Sequence, residues 1–315
     1  MLARSWTRWL VGDGPGEADP LAGGPVLTAT RWAGFVGFHL ACLGVIWVGI
    51  SATAVAVAGA LYLLRMGFIT AFYHRYFSHR AFRTSRLFQF LMALAGCTAA
   101  QRGPLWWAGH HRRHHAQSDG PGDVHSPVRV GFFRSHMGWF LAPENYATPW
   151  RYVSDWRRYP ELVWLNRLEV LPVVALAASL YGLGEALANW APAAATNGPQ
   201  LLVWGFVVST VAVYHGTYTI NSLAHLWGFR RFATADESRN NALLALLTLG
   251  EGWHNNHHYA PGSASQGFRW WELDITWLVL RGLAAVGLIW DLRPVPQKAR
   301  QASSASAPLS GRMRQ

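Results

Sequence analysis

Six of the chain's 14 histidines repeat one spacing. "HHRRHH" carries His111, His114 and His115 as HxxHH, and "HNNHH" carries His254, His257 and His258 in the same pattern. With 14 histidines in 315 positions, random placement gives HxxHH about 0.03 times per chain, so two copies arise by chance about once in a thousand. On a helix turning about 100° per residue, i+3 and i+4 lie about 60° to one side and about 40° to the other of residue i. All three imidazoles then share a face, and one helix can feed two metal sites. "FYHRYFSHR" adds His74 and His79, about 140° apart on an ideal helix, which need a helix end or an intervening substrate to converge. "NSLAH" adds His225, with Asn221 one turn earlier on the same face.

These make nine histidines, more than one metal accepts; two metals with four or five imidazoles each would use them. Imidazole suits Zn, Cu, Fe and Ni, so ligand type leaves the metal open. Their place beside apolar segments argues for chemistry on lipid, and attack on inert hydrocarbon calls for redox-active iron with dioxygen.

The surrounding chain has the composition of a membrane protein. Hydrophobic residues make up 51%, 18 residues are Trp and only 14% are charged, against about 25% charged in a soluble domain. The net charge of +11 comes from basic residues that flank apolar segments. That pattern argues against nucleic acid and for an anionic membrane surface, substrate or redox partner. Four spans are expected, at about 32–50, 52–69, 163–183 and 201–220, each near the ~20 residues that cross ~30 Å of hydrocarbon. The first two form a hairpin turning near Ser51; the second two are joined by "YGLGEALANWAPAAATNGPQ", rich in turn-forming residues. Arg167 and Glu169 place the opening turns of the third span at the interface. Both connectors lack Lys and Arg whereas 74–158 is rich in them, so that segment and both termini are expected on the cytoplasmic side.

"LFQFLMALAGCTAA" (87–100) is too short for a span and "ITWLVLRGLAAVGLIW" (275–290) is broken by Arg281; both read as interfacial or core helices. The expected layout is an N-terminal cytoplasmic segment 1–31, one domain 32–295, and a small, polar, disordered tail 296–315. The first 20 residues break into a Gly/Pro loop too early for a cleaved signal peptide. Cys42 and Cys97 lie in apolar runs without CxxC spacing and read as packed thiols.

"HRYFSH", "HRRHH", "NSLAHLWGFR" and "GEGWHNNHH", in this order with hydrophobic hairpins between them, resemble the histidine boxes of membrane fatty acyl desaturases of the acyl-CoA Delta-9 (stearoyl-CoA) type. The resemblance covers about residues 35–295. It implies an all-α membrane protein with four transmembrane helices in two hairpins and a cytoplasmic helical cap holding a di-iron site. His74, His79, His111, His114, His115, His225, His254, His257 and His258 would ligate two iron ions, with Asn221 acting through a water. The implied reaction takes O2 and two electrons from a small carrier of ferredoxin or cytochrome b5 type, with its reductase, and makes a cis double bond in a saturated acyl chain, acyl-CoA favoured. Trp107 and Thr217 match the pair that fixes the kink of the acyl tunnel, and Gln101 matches a residue near the thioester carbonyl.

Two departures bear on the head group. Gly109 and His110 stand where animal enzymes have an Arg-Asp pair, and "APENYATPW" replaces a basic segment, so acyl-carrier protein and phospholipid acyl chains join acyl-CoA as substrates. Arg112, Arg113, Arg157 and Arg158 are candidates for an anionic head group or solvated cations. The alternatives on the same scaffold are a membrane hydroxylase or other lipid oxygenase, or a metal carrier. His39, His110, His125, His136 and His215 are expected as non-ligands, and Asp119, Asp123 and Glu251 as acceptors that orient imidazoles. No GxGxxG follows a strand and no fused cytochrome-like domain is read in the tail, so electrons are expected from a separate partner. The closed end of the tunnel is expected in the first two spans, near Gly44, Gly49 and Ala54.

Overall fold

The structure is a computed structural model that describes residues 25–305; segments 1–24 and 306–315, parts of the expected terminal regions, lie outside the described residues. α1 (Pro25–Leu40) continues through a 3-10 turn at Ala41–Gly44 into Val45–Val48. Gly49 then adopts φ 68°, which glycine tolerates because it has no Cβ. Ser51 caps the next helix, its Oγ accepting from the Ala54 amide at 3.1 Å. α2 (Ala52–Phe68) runs on as π-helix through Ile69–Ser78. The first hairpin thus turns where the sequence places it.

Between the hairpins lie α3 (Arg86–Cys97), α4 (Pro104–Gln117) and, after a series of single turns, α5 (Pro160–Arg167). α6 (Val170–Trp190) and α7 (Ser209–Asn221) form the second hairpin, α7 being reached through Gly198–Leu201 and a π-helical Leu202–Val208. Among the described residues four helices are long and apolar enough to cross a membrane: Ala29–Val48, Ala52–Ser78, Val170–Trp190 and Gly198–His225. The second and fourth run past their expected ends because the helix persists where hydropathy falls, and those polar ends carry the histidines. The third begins at Val170 rather than 163. Asn166 in α5 caps α4, its Oδ1 accepting from the amides of Leu105 (3.1 Å) and Trp106 (2.8 Å), and the helix breaks at Leu168 before Arg102 and Glu169 pair at 2.5 Å.

α8 (Ala242–Leu247), α9 (His254–Tyr259) and α10 (Ile275–Ala285) complete the cap, with a two-residue antiparallel pairing of β1 (Arg83–Thr84) and β2 (Ile289–Trp290). Residues 297–305 form α11 (Gln297–Ala305), with Ala299 buried against Phe232 and Val295. The cap core gathers Tyr73, Phe77, Phe82, Trp156, Leu162 and Leu280, all buried. Burying one such side chain contributes about 1.5–3 kcal/mol, so this core holds the π-helical end of α2 against α4 and α10. A smaller cluster, Leu180, Phe206 and Val207, joins α6 to the approach of α7. Buried Arg65 cross-links the hairpins, donating to Thr210 Oγ1 at 2.6 Å and to the Ser209 hydroxyl.

Candidate metal centre

The polar ends of the spans, α4 and α9 deliver two groups of imidazoles. His74, His79, His111, His115 and His257 bring one ring nitrogen each within 4.8 Å of one another; His114, His225, His254 and His258 do the same beside them. In the first group the Nε2 atoms of His79 and His111 lie 2.8 Å apart, His111 and His115 3.0 Å, His115 and His257 2.9 Å, and His74 and His257 3.1 Å. In the second, His225 Nε2 lies 3.1 Å from His254 Nε2. Each HxxHH divides its imidazoles between the groups, in opposite senses. α4 sends His111 and His115 to the first group and His114 to the second, while α9 sends His254 and His258 to the second and His257 to the first.

The convergence of His74 and His79 has its own cause. The His79 amide donates to the His74 carbonyl at 3.2 Å, an i→i+5 bond. A π-helical turn, wider than an α-turn, brings residues five apart nearer to one face, where an α-helix would set them about 140° apart. Their ring centroids are 4.9 Å apart.

Carboxylates fix the other ring nitrogen of four of these histidines. Asp123 accepts from His114 Nδ1 at 2.9 Å, Asp119 from His225 Nδ1 at 2.9 Å, Asp236 from His258 Nδ1 at 2.8 Å, and Glu251 from His74 Nδ1. Glu251 is held in turn by buried Arg75, which grips Asp274 with two bonds of 2.9 and 3.0 Å. With its proton on Nδ1, each of these four imidazoles presents a bare Nε2 lone pair to the cluster. Burial pushes His79, His111, His115, His254 and His257 well below the usual imidazole range, with neighbouring histidines adding to the effect, and pushes His258 down to about 4. Burial opposes the charge of Asp119, but the hydrogen bond from His225 carries its carboxyl down to about 2. A neutral imidazole has one N–H, so a ring of Nε2 atoms at these distances satisfies some pairs and leaves others lone pair to lone pair, and His258 Nε2 is buried with no hydrogen-bond partner. A shared cation resolves both, so the residues present fit a metal pair.

A cavity of about 360 Å³ reaches this centre. Gln101, Trp107 and Thr217 line it together with His111 and Asn221. Gln101 Nε2 donates to Thr217 Oγ1 at 2.9 Å, and Trp107 stacks on His111 with centroids 5.1 Å apart. Ala100 and Arg102 flank Gln101 with φ of 55° and 70°, a left-handed backbone that costs about 1–3 kcal/mol per residue and here turns Gln101 inward. A second cavity of about 40 Å³ shares Trp107, His111, Thr217 and Asn221 with the first and touches His74, His114 and His254 before ending at Met66 and Ile69. The two thus share a wall beside both histidine groups. Gly44, Gly49 and Ala54 line neither cavity; Gly44 packs on Val203 instead.

A sequence model of the fatty acid desaturase family matches residues 51–291. The chain belongs to that family. It is 38% identical over 254 residues to the chloroplastic palmitoyl-monogalactosyldiacylglycerol delta-7 desaturase of Arabidopsis thaliana, covering 79% of this chain and 64% of that protein. It is 35% identical over 268 residues to the sn-1 stearoyl-lipid 9-desaturase of Anabaena variabilis, covering 84% and 93%. With the icosanoyl-CoA 5-desaturase of Limnanthes douglasii the identity is 36% over 237 residues, covering 74% and 62%. The chain therefore spans less than two thirds of either plant relative.

The remaining histidines of this desaturase family member take other places. His39, His215 and His136 form a separate chain, with ring nitrogens 3.2 and 3.0 Å apart, that ends on Ser222 Oγ at 2.9 Å. His110 Nε2 contacts the Ala147 carbonyl at 3.3 Å. His125 stands nearest the centre, grouped with His114 and Asp123. Arg112 is spoken for: it donates to the carbonyls of Phe77 (2.7 Å), Ser78 (2.8 Å) and Tyr152 (2.8 Å) and to Asp155 (2.8 Å), so it braces the cap. Gly109 lies against Pro149, whose Cγ would be 2.8 Å from any Cβ there. Asp236, Asp274 and Gln266 escape the sequence reading. Asp236 lies 22 residues before His258, with no periodic signal to join them.

Proposed function

We propose that this family member is a di-iron desaturase that inserts a cis double bond, at Delta-9, into a saturated C16 to C18 fatty acyl chain. The observation that carries the reading is a pair of cavities that share His111, Asn221, Trp107 and Thr217 as walls beside both histidine groups, a corner at which an acyl chain would bend. His74, His79, His111, His115 and His257 would hold one iron; His114, His225, His254 and His258 would hold the other, with Asn221 acting through a water. When bound, iron supplies the dioxygen-dependent redox chemistry that takes hydrogen from two adjacent methylenes, with two electrons drawn from a ferredoxin or cytochrome b5 type carrier and its reductase.

The chain's own residues supply position. Successive methylenes are chemically alike, so only placement selects one pair. Trp107 and Thr217 wall the corner, and Gln101 holds the Thr217 hydroxyl in its rotamer. Asp119, Asp123, Asp236 and Glu251 keep the Nδ1 protons and so keep each Nε2 free. The distribution of Lys and Arg supports an integral membrane protein with its histidine cap and both termini on the cytoplasmic side. On the head group the sequence favours acyl-CoA, while two of the relatives above act, by their names, on lipids.

Expression in a desaturase-deficient host, followed by gas chromatography and mass spectrometry with double-bond derivatisation, tests the reaction. A new Delta-9 monoene, absent from a His257→Ala control and from anaerobic cells, is expected. Identical fatty acids with and without oxygen, or a hydroxylated product, would overturn it.

A further inference from the structure

Resting on the desaturase reading, we propose that the acyl chain reaches the larger cavity sideways from the bilayer, between α1 and α6, so that the substrate is an acyl chain of a membrane glycerolipid. α1 contributes Arg31, Gly34, Phe35 and Phe38 to the cavity wall, the i, i+3, i+4, i+7 positions of one helix face. Val170 and Val173, in the first turns of α6, line it opposite. Gly34 is exposed although it lines the cavity, and Phe35, Phe38, Val170 and Val173 are partly exposed. Residues that touch both the cavity and the outside mark an opening. These belong to spanning segments, so what lies outside is hydrocarbon.

The neighbours of α1 agree. It packs against residues 139–141, and its 3-10 continuation packs against the lead-in to α7; of the four spans it is the least buried. Deeper in, the slot is closed where Phe38 meets Phe206, ring centroids 5.6 Å apart, over Leu180 and Val207. From Gly34 to Phe38 the open stretch spans about 6 Å of helix, at the end of the span that faces the cap.

The rim is polar. The guanidinium groups of Arg31 and Arg102 stand 3.3 and 4.0 Å from the centroid of the Tyr146 ring, and Arg102 pairs with Glu169. A glycerolipid matches this pairing of surfaces, with ester carbonyls and head group at the interface and hydrocarbon directly below. A CoA thioester brings several phosphates, and this rim sets two arginines against one glutamate. The next polar position, His110, is buried on the Ala147 carbonyl.

The test uses the full iron-loaded chain in vesicles of phosphatidylglycerol with a diazirine in its stearoyl chain. Photolabel is expected on peptides containing residues 31–38 and 170–173, uncompeted by equimolar stearoyl-CoA. It should fall about tenfold or more in Val173→Trp and in Gly34→Trp, because a bulky ring fills a slot the chain must thread, with iron content and thermal midpoint unchanged. Distearoyl-phosphatidylglycerol vesicles, supplied with reductant and oxygen, should yield the monoene within the lipid fraction. Label absent from both helices, or turnover of stearoyl-CoA with none of the lipid, overturns lateral access and leaves the desaturase reading standing. Label on both helices with no olefin from either substrate overturns the desaturase reading and leaves the lipid slot.

Discussion

His257 and His258 are consecutive in the chain, yet their ring planes stand 87° apart and serve different groups, His257 Nε2 lying 2.9 Å from His115 and His258 Nδ1 2.8 Å from Asp236. A helix turns about 100° per residue, so adjacent side chains diverge enough to feed two centres from one turn. His114 and His115 do the same on α4.

That division makes the two groups separable by substitution. His257→Ala should lower bound iron to about half of wild type or less, since a site short of one donor loses most of its affinity, and should abolish olefin formation. His258→Ala should deplete the other site to a similar extent. Metal analysis of purified protein beside a circular dichroism spectrum checks this; a His257→Ala protein with full iron and turnover would sink the assignment.

The carboxylates are expected to act through the histidines they hold. Glu251→Gln and Asp236→Asn each weaken the hold on an Nδ1 proton, and metal affinity should fall about 10–100-fold, read as faster iron loss to a chelator. Asp155→Asn, on the far side of Arg112, should leave chelation unchanged.

Acid should destabilise the metal-free protein in two stages. Burial holds His254 and His257 well below 6.5 in the fold, whereas the unfolded chain titrates near 6.5. Above that pH both states are neutral and these residues give no slope. Below it the unfolded chain binds protons the fold refuses, so stability falls by up to about 1.4 kcal/mol per pH unit for each such imidazole. Asp119, carried from 3.8 to about 2, contributes stability that is present above pH 3.8 and lost as the pH falls toward 2. Thermal midpoints of metal-free protein should drop as the pH falls below 6.5; a midpoint that rises on acidification below 6.5 would contradict the burial.

Regiochemistry should depend on one hydrogen bond. Gln101→Ala frees the Thr217 hydroxyl, and a misplacement near 1 Å can cost about 100-fold in rate. The expected result is slower turnover with double bonds scattered to neighbouring positions, visible in the fragment ions of the derivatised products. A single unshifted isomer at the wild-type rate would remove Gln101 from this role.

Arg112→Ala should cost stability. Three backbone carbonyls and Asp155 lose a charged donor at once, at about 1–3 kcal/mol for each buried group left unmade. Lysine, with no planar fork, should restore little of it. Denaturant midpoints distinguish this brace from a residue that only meets substrate.

The sequence by itself determined the elements and the donors. Apolar runs of span length placed both hairpins, and the HxxHH spacing put three imidazoles on one face of α4 and again on α9, because period and hydropathy are local properties of a chain. Tertiary structure decided what those local signals leave open. The i→i+5 turn at His74 depends on burial of Tyr73 and Phe77 in the cap core, not on any motif. The five-and-four division requires two helices to face each other from distant parts of the chain. Asp236 reaches His258 only through the loop that precedes α8, and the cavity wall that Trp107 and Thr217 share exists only once α4 lies beside α7. Contacts between residues far apart in sequence carry no periodic trace, so packing alone set which imidazole joins which group and which side chains wall the cavities.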